Sequence, residues 1–359
     1  MLVPLTPLDF KRRAVKLFPN KVGVVDGEKR FTYREFGERA DRLANALKEL
    51  GVQKGDTVSF ICLNQHQLLE AYYGVVEAGG ILNPINVRLS PQEIAYILNH
   101  SRAKVLFFHD MFFPLISQIK DNLDTVLHYV VIEGEPQDFV EHEYEGLLAE
   151  ASPEEPELWF DENDPAELFY TSGTTGFPKG AILTHRTLYL HGLYFIIGIN
   201  LTDADRILHI VPLFHVNGWG TPQALTAVGG THIMLRKIDP AIMLDLIQRE
   251  KVTLMFGVPT IFNALVNYPD LDKYDLSSVR AVILGGAPSP LSLIKAVEEK
   301  FKTLCFVGYG LTETSPVLTL ARPKAHLADE PYEKLFFFKQ KTAYEILGVE
   351  VRVVNDKGE

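Results

Sequence analysis

Four short hydroxyls, those of Thr171, Ser172, Thr174 and Thr175, fall within five residues, punctuated by Gly173 and Gly176 and closed by Lys179 and Gly180. Glycine permits positive φ and close approach of backbone N–H groups to an anion, hydroxyls donate to its oxygens, and a lysine adds a mobile point charge. These residue types in this order suit a phosphate. The run is not a Walker A loop, which needs Ser or Thr after its lysine at a helix start; here Gly180 and a strand-like stretch follow. A merely flexible Ser/Thr/Gly connection would need neither the lysine nor this order. Residues 166–170 and 180–184 read as short strands, so the loop turns between two strands at the edge or end of a sheet.

Three later segments carry further chemistry-bearing residues. His215 and Trp219 lie in residues 212–219, just past a strand end and a proline. Gly285, Gly286, Ala287 and Pro288 follow the apolar run 281–284, which places them at a strand's carboxyl end, where α/β sheets bind ligands. Tyr309, Gly310, Thr312 and Glu313 lie in residues 308–316. Taken singly, each has a plainer reading: a lone histidine is more often structural, a Gly-Gly-Ala-Pro stretch is usually a turn, an isolated glutamate caps a helix or is solvated, and tryptophan often fills a core. The eleven histidines show no metal-ligand spacing, the two cysteines (Cys62 and Cys305) read as buried thiols, and neither Ser172 nor Ser289 has a recognisable triad.

In their order along the chain, the four segments resemble the signature motifs of the adenylate-forming superfamily of acyl-CoA synthetases, luciferases and nonribosomal-peptide adenylation enzymes. Weaker resemblance extends upstream through residues 31–35 and 77–84. The resemblance implies a two-step reaction, in which a carboxylate attacks the α-phosphate of ATP to give acyl-adenylate and pyrophosphate, and the thiol of CoA then displaces AMP. It implies that Thr171, Ser172, Gly173, Thr174, Thr175, Gly176 and Lys179 cradle the β- and γ-phosphates. Gly285, Gly286, Ala287, Pro288, Tyr309 and Gly310 would hold the adenine, and Thr312 would reach the α-phosphate. Glu313 would hold Mg²⁺, a hard cation that prefers carboxylate oxygen. His215 would orient the acyl carboxylate, with Trp219, Gly286 and Gly310 lining the acyl site. Thr171, Lys179, His215, Thr312 and Glu313 would form the catalytic set, with ATP, Mg²⁺ and CoA as cofactors and cosubstrates. A tryptophan at position 219 resembles the medium- and long-chain fatty acyl-CoA synthetases. An aryl-acid or carrier-protein-loading enzyme of the same superfamily, and a non-catalytic nucleotide- or acyl-binding module, stay open as alternatives.

The elements that must position these residues alternate between strand-like and helix-like runs along all 359 residues, which predicts an α/β fold of two layered subdomains with helices packed on both. The boundaries fall at 1–165 and 166–320, with 321–359 beginning a small β-barrel subdomain, and the acidic, proline-bearing stretch 150–165 is the expected linker. A helix is expected over 33–50, another from the capping box of Ser90 and Glu93 with Pro91 first, and strands over 22–25, 57–63, 104–108 and 128–132. By resemblance the family's C-terminal domain is absent, so the chain is expected to be truncated, with weak ATP binding and little or no full synthetase activity. Segment 336–346 departs from the family pattern: residues 339–346 match the in-frame translation of a common sequencing-library adapter, and the readings are an assembly artefact or a natural divergent loop.

With 35 basic against 46 acidic residues the net charge of −11 argues against nucleic acid as a partner; the partners that the resemblance implies are small molecules, namely ATP, an acid and CoA. No secretory signal opens the chain and no apolar run approaches the ~20 residues that span a bilayer, so a cytoplasmic location is expected. Residues 188–199, broken by His191 and Gly192, read as a core helix with room for peripheral membrane contact. A homodimer is compatible with the sequence.

Overall fold

The computed structural model describes residues 3–171, 176–322 and 344–345. In chain order its strands are β1 Val22–Asp26, β2 Lys29–Thr32, β3 Thr57–Ile61, β4 Ile81–Pro84, β5 Ala103–His109, β6 His128–Ile132, β7 His142–Glu143, β8 Pro165–Thr171 and β9 Lys179–Thr184. They continue with β10 Arg206–His209, β11 Thr231–Met234, β12 Leu254–Gly257, β13 Ala281–Leu284, β14 Leu304–Gly310, β15 Val317–Leu320 and β16 Tyr344–Glu345. One sheet has the order β7-β6-β5-β3-β4-β8-β9, and the other β16-β15-β14-β13-β12-β10-β11-β1-β2. Both are parallel in the middle, with antiparallel hairpins at the rims. The central strands are largely buried, and β13, reading Ala-Val-Ile-Leu, is apolar throughout, as a parallel strand covered on both faces favours.

Local signals account for the helices. Thr32 and Glu35 form a capping box that opens helix Tyr33–Glu49, and Ser90 and Glu93 do the same for Pro91–His100. Helix His185–Ile199 buries Leu188, His191, Phe195 and Ile199 while leaving Leu193 and Ile197 exposed, so it is a core helix on one side only. No helix among the described residues is long and apolar enough to cross a membrane.

Sheet membership does not follow a cut at residue 165. Hairpin β1–β2 joins the nine-stranded sheet, and hairpin β8–β9 completes the seven-stranded one. The acidic stretch 150–165 is likewise no bridge between the sheets, because it leads from helix Tyr144–Glu150 to β8 within one sheet. Its carbonyls are strapped to one face of helix Tyr33–Glu49: Arg42 donates to Ala151, Asn45 to Ser152 and Glu154, and Lys48 to Glu157. Acidic composition marks solvent exposure here, and backbone pairing decides where the chain runs. β15 and β16 extend the nine-stranded sheet, and no closed barrel occurs among the described residues. Apart from residues 321–322 and β16, the expected barrel start and the segment 336–346 lie outside them.

A partly buried charge cluster ties the two sheets together. Arg236, just past β11, donates to Asp26 at the end of β1 and to Glu133 just past β6, while His66 hydrogen-bonds Asp26 at 2.7 Å. Burial alone would raise the Asp26 pKa, but hydrogen bonds from His66 and Arg236 hold it well below the carboxylate range. The folded-state pKa is depressed, so this stabilisation is present above about pH 4 and is lost as pH falls through the folded value. Arg236→Met leaves Asp26, 3% exposed, without its guanidinium and with His66 as its remaining partner. It is expected to lower stability by about 3 kcal/mol, read as a reduced urea midpoint.

Candidate active site

β12, β13 and β14 end side by side in parallel, and their carboxyl ends open into a cavity of about 370 Å³. The topology thus puts a pocket where open α/β sheets hold ligands. Its wall includes Thr171, His215, Trp219, Gly285, Gly286, Tyr309, Gly310, Thr312 and Glu313, drawn from both sheets.

Thr171 is the last residue of β8 and pairs with Lys179, the first of β9, so the two strand runs expected on either side of the hydroxyl-rich segment are paired antiparallel. Lys179 is exposed and lies outside the cavity wall, as do the exposed Gly176, Ala287 and Pro288. Ser172, Gly173, Thr174 and Thr175 lie outside the described residues. Thr312 is buried, while Tyr309 and Glu313 are open to solvent at the rim.

Trp219 reaches the cavity through an unusual stretch of backbone. From Val216 to Gly220 every φ is positive, at 30°, 41°, 54°, 61° and 75°. Gly218 and Gly220 adopt this region freely, but Val216, Asn217 and Trp219 are strained there. The turn lays the indole against the glycines after β13: a Cβ on Gly285 would lie 3.0 Å from the indole Cη2, and one on Gly286 would lie 3.4 Å from Cζ2. Only glycine admits this contact without moving the ring.

His215 opens onto the cavity. Crowding by the surrounding protein, then the charge of Arg88, holds its imidazole below the ordinary pKa, although the ring's open surface tempers the first effect. The ring is therefore neutral near pH 7 and can accept or donate a hydrogen bond. Among the described residues the cavity wall holds no lysine or arginine; Lys179 pairs with Thr171 of the wall, and the charge of Arg88 is felt at His215.

Most of the apolar part of the wall lies outside the motifs. Phe195, Phe256, Ile283, Val317 and Leu320 line the cavity, joined by Val216 and Leu311 from within the motif segments. In sequence they resemble ordinary core positions. Position at a strand's carboxyl end is the signal that could have singled out Phe256 and Ile283. Sequence spacing also hid a group of possible metal ligands, His128, Glu141 and His142, which the β6–β7 pairing brings together away from the cavity.

A cavity at the strand ends, walled by glycine backbone and apolar side chains and bordered by Thr171 at the end of β8, defines the N-terminal architecture of an adenylate-forming enzyme. The chain belongs to the AMP-binding enzyme family, whose family model matches residues 11–359. It is 40% identical over 358 residues to the long-chain-fatty-acid–CoA ligase of Thermus thermophilus, covering 98% of this chain and 65% of that relative. Among solved structures, the anthranilate CoA ligase AuaEII in complex with anthranoyl-AMP matches with a TM-score of 0.92 at 27% identity, over 100% of this chain and 68% of that one. The N-terminal domain of FACL13 from Mycobacterium tuberculosis matches with a TM-score of 0.82 at 30% identity, over 88% of this chain and 78% of that one.

Proposed function

We propose that the protein activates a carboxylic acid with ATP and passes the acyl group to CoA, with a medium- or long-chain fatty acid as the acid. The supporting observation is the cavity, whose wall combines the glycines after β13, apolar side chains beside Trp219 and the polar Thr171, Thr312 and Glu313. Adenine would lie along Gly285 and Gly286 with Tyr309 over its face, Ala287 and Pro288 continuing the turn. Thr312 would donate to the α-phosphate. Thr171, its following loop and Lys179 would hold the β- and γ-phosphates, so that the pyrophosphate leaves toward solvent.

His215, neutral and facing the cavity, would donate to the acid's carboxylate and aim one oxygen at the α-phosphorus, which is orientation rather than proton removal. The donor set fits Mg²⁺, since Glu313 is a solvent-facing carboxylate beside the proposed phosphate position and such sites use few protein ligands. The ion would supply charge neutralisation on the phosphates. A cytoplasmic location and small-molecule partners belong to the same reading.

Trp219 would set how deep the acyl chain can lie. Trp219→Ala removes the indole from Gly285 and Gly286 and is expected to shift the preferred acid toward longer or bulkier chains, as judged by relative kcat/KM across a chain-length series. An unchanged preference would remove Trp219 from the acyl site. Exchange of labelled pyrophosphate into ATP, run on the complete reading frame with fatty, aryl and short-chain acids, tests the function itself. Exchange peaking with fatty acids supports the reading. A peak with aryl acids favours the alternative suggested by the close structural match to the anthranilate ligase. No exchange with any acid from the folded protein leaves only ligand binding.

A further inference from the structure

We infer that Glu167 is a positioning residue for the acyl wall: its carboxyl ties the left-handed turn Val216–Gly220 to β8 and so holds the Trp219 indole on Gly285 and Gly286. Glu167 is fully buried on β8, on the same strand face as Thr171 four residues on. Gln223 Nε2 donates to its Oε1 at 2.6 Å, and Asn217 Nδ2 donates to its Oε2 at 3.3 Å. Asn217 in turn closes the strained turn, its Oδ1 accepting from the Gly220 N–H at 2.7 Å. The chain of contacts therefore runs from the strand that ends at Thr171, through Glu167 and Asn217, to the backbone that carries Trp219. Three non-glycine residues at positive φ need restraint from outside the turn, and Glu167 supplies it from the other sheet.

A carboxyl is a costly choice for this place. An apolar side chain would satisfy a buried strand position, whereas an acid without a cation must be desolvated. The titratable groups facing it are Tyr72 and Tyr73, from helix His66–Glu77, beside the amides of Asn217 and Gln223. Burial pushes the Glu167 pKa up to about 8, with the two amide donors offsetting part of the rise. The acid is neutral at pH 7 and gains its charge as pH rises through that value, loading the contacts that hold the turn.

The idea rests on the adenylation reading only for the word acyl, and its test needs no substrate, so the two can fail separately. The chain has two tryptophans, and Trp159 is 82% exposed. Trp159→Phe therefore leaves Trp219 as the only indole. Its fluorescence is followed from about pH 6 to about pH 9.5, short of ordinary tyrosine ionisation near 10. The expected result is one transition near pH 8 that disappears when Glu167→Gln is added, because the amide keeps one acceptor oxygen and cannot ionise. Adding Glu167→Leu instead, which removes both acceptors, is expected to red-shift the emission at pH 7 as the indole leaves its glycine seat. If the leucine variant does not fold, the glutamine titration carries the test. A transition that survives Glu167→Gln, absence of any transition in the parent, or a folded Glu167→Leu protein with unshifted emission each overturns the proposal.

Discussion

Gly310→Ala is expected to abolish binding of an adenylate analogue and to lower stability by about 3 kcal/mol, at the upper end of overpacking effects. A Cβ at this position would lie 2.1 Å from the Pro316 carbonyl oxygen, 2.8 Å from its carbon and 3.0 Å from Val317 Cα. All three are backbone atoms, so no side-chain rotation relieves the contact. β14 and β15 pair Gly310 with Val317 at this point, and Leu311, Thr312, Glu313, Pro316 and Val317 all line the cavity. Spreading the turn would move the proposed α-phosphate donor and the proposed Mg²⁺ ligand together. Urea unfolding and analogue titration of the same variant read the two effects, and wild-type affinity would show that this turn does not form the site.

Glu313→Gln is expected to separate chemistry from stability. Among the described residues Glu313 makes no hydrogen bond or ion pair, and its side chain is exposed at the cavity rim. The substitution removes a charge while preserving shape, so the thermal midpoint should hold. Pyrophosphate exchange by the complete reading frame should fall about 100-fold or more, the scale seen when one electrostatic contact to a transferring group is lost. Raised Mg²⁺ should recover part of the loss if the carboxylate acts through the ion. Unchanged exchange would remove Glu313 from the phosphate site.

How far the sequence could be read depended on whether a feature was local. Strand β6 spans the residues expected of it, 128–132, and the capping box at Ser90 and Glu93 opens its helix as its residues predict, because both are decided within a few residues. The site motifs were legible for the same reason: glycines, hydroxyls and rare aromatics at fixed spacing stand out without knowledge of the fold. The capture of hairpin β1–β2 by the distant sheet was hidden, because strand pairing is a long-range event that no local pattern encodes. The left-handed turn was only half visible, since Gly218 and Gly220 hint at positive φ but Val216 and Trp219 argue against it. Glu167 was invisible as a site residue. Inside a strand-like run an acid normally reads as the solvent face, and only the fold shows that both faces of β8 are covered.

The most direct test of the central claim, that this cavity holds an acyl-adenylate, is calorimetric titration of the 359-residue chain with a non-hydrolysable dodecanoyl-sulfamoyl adenosine. The account predicts one saturable site that ATP and free dodecanoate each weaken by competition and that Gly310→Ala eliminates. No binding by the folded chain, or binding that Gly310→Ala and Trp219→Ala both leave intact, would contradict it.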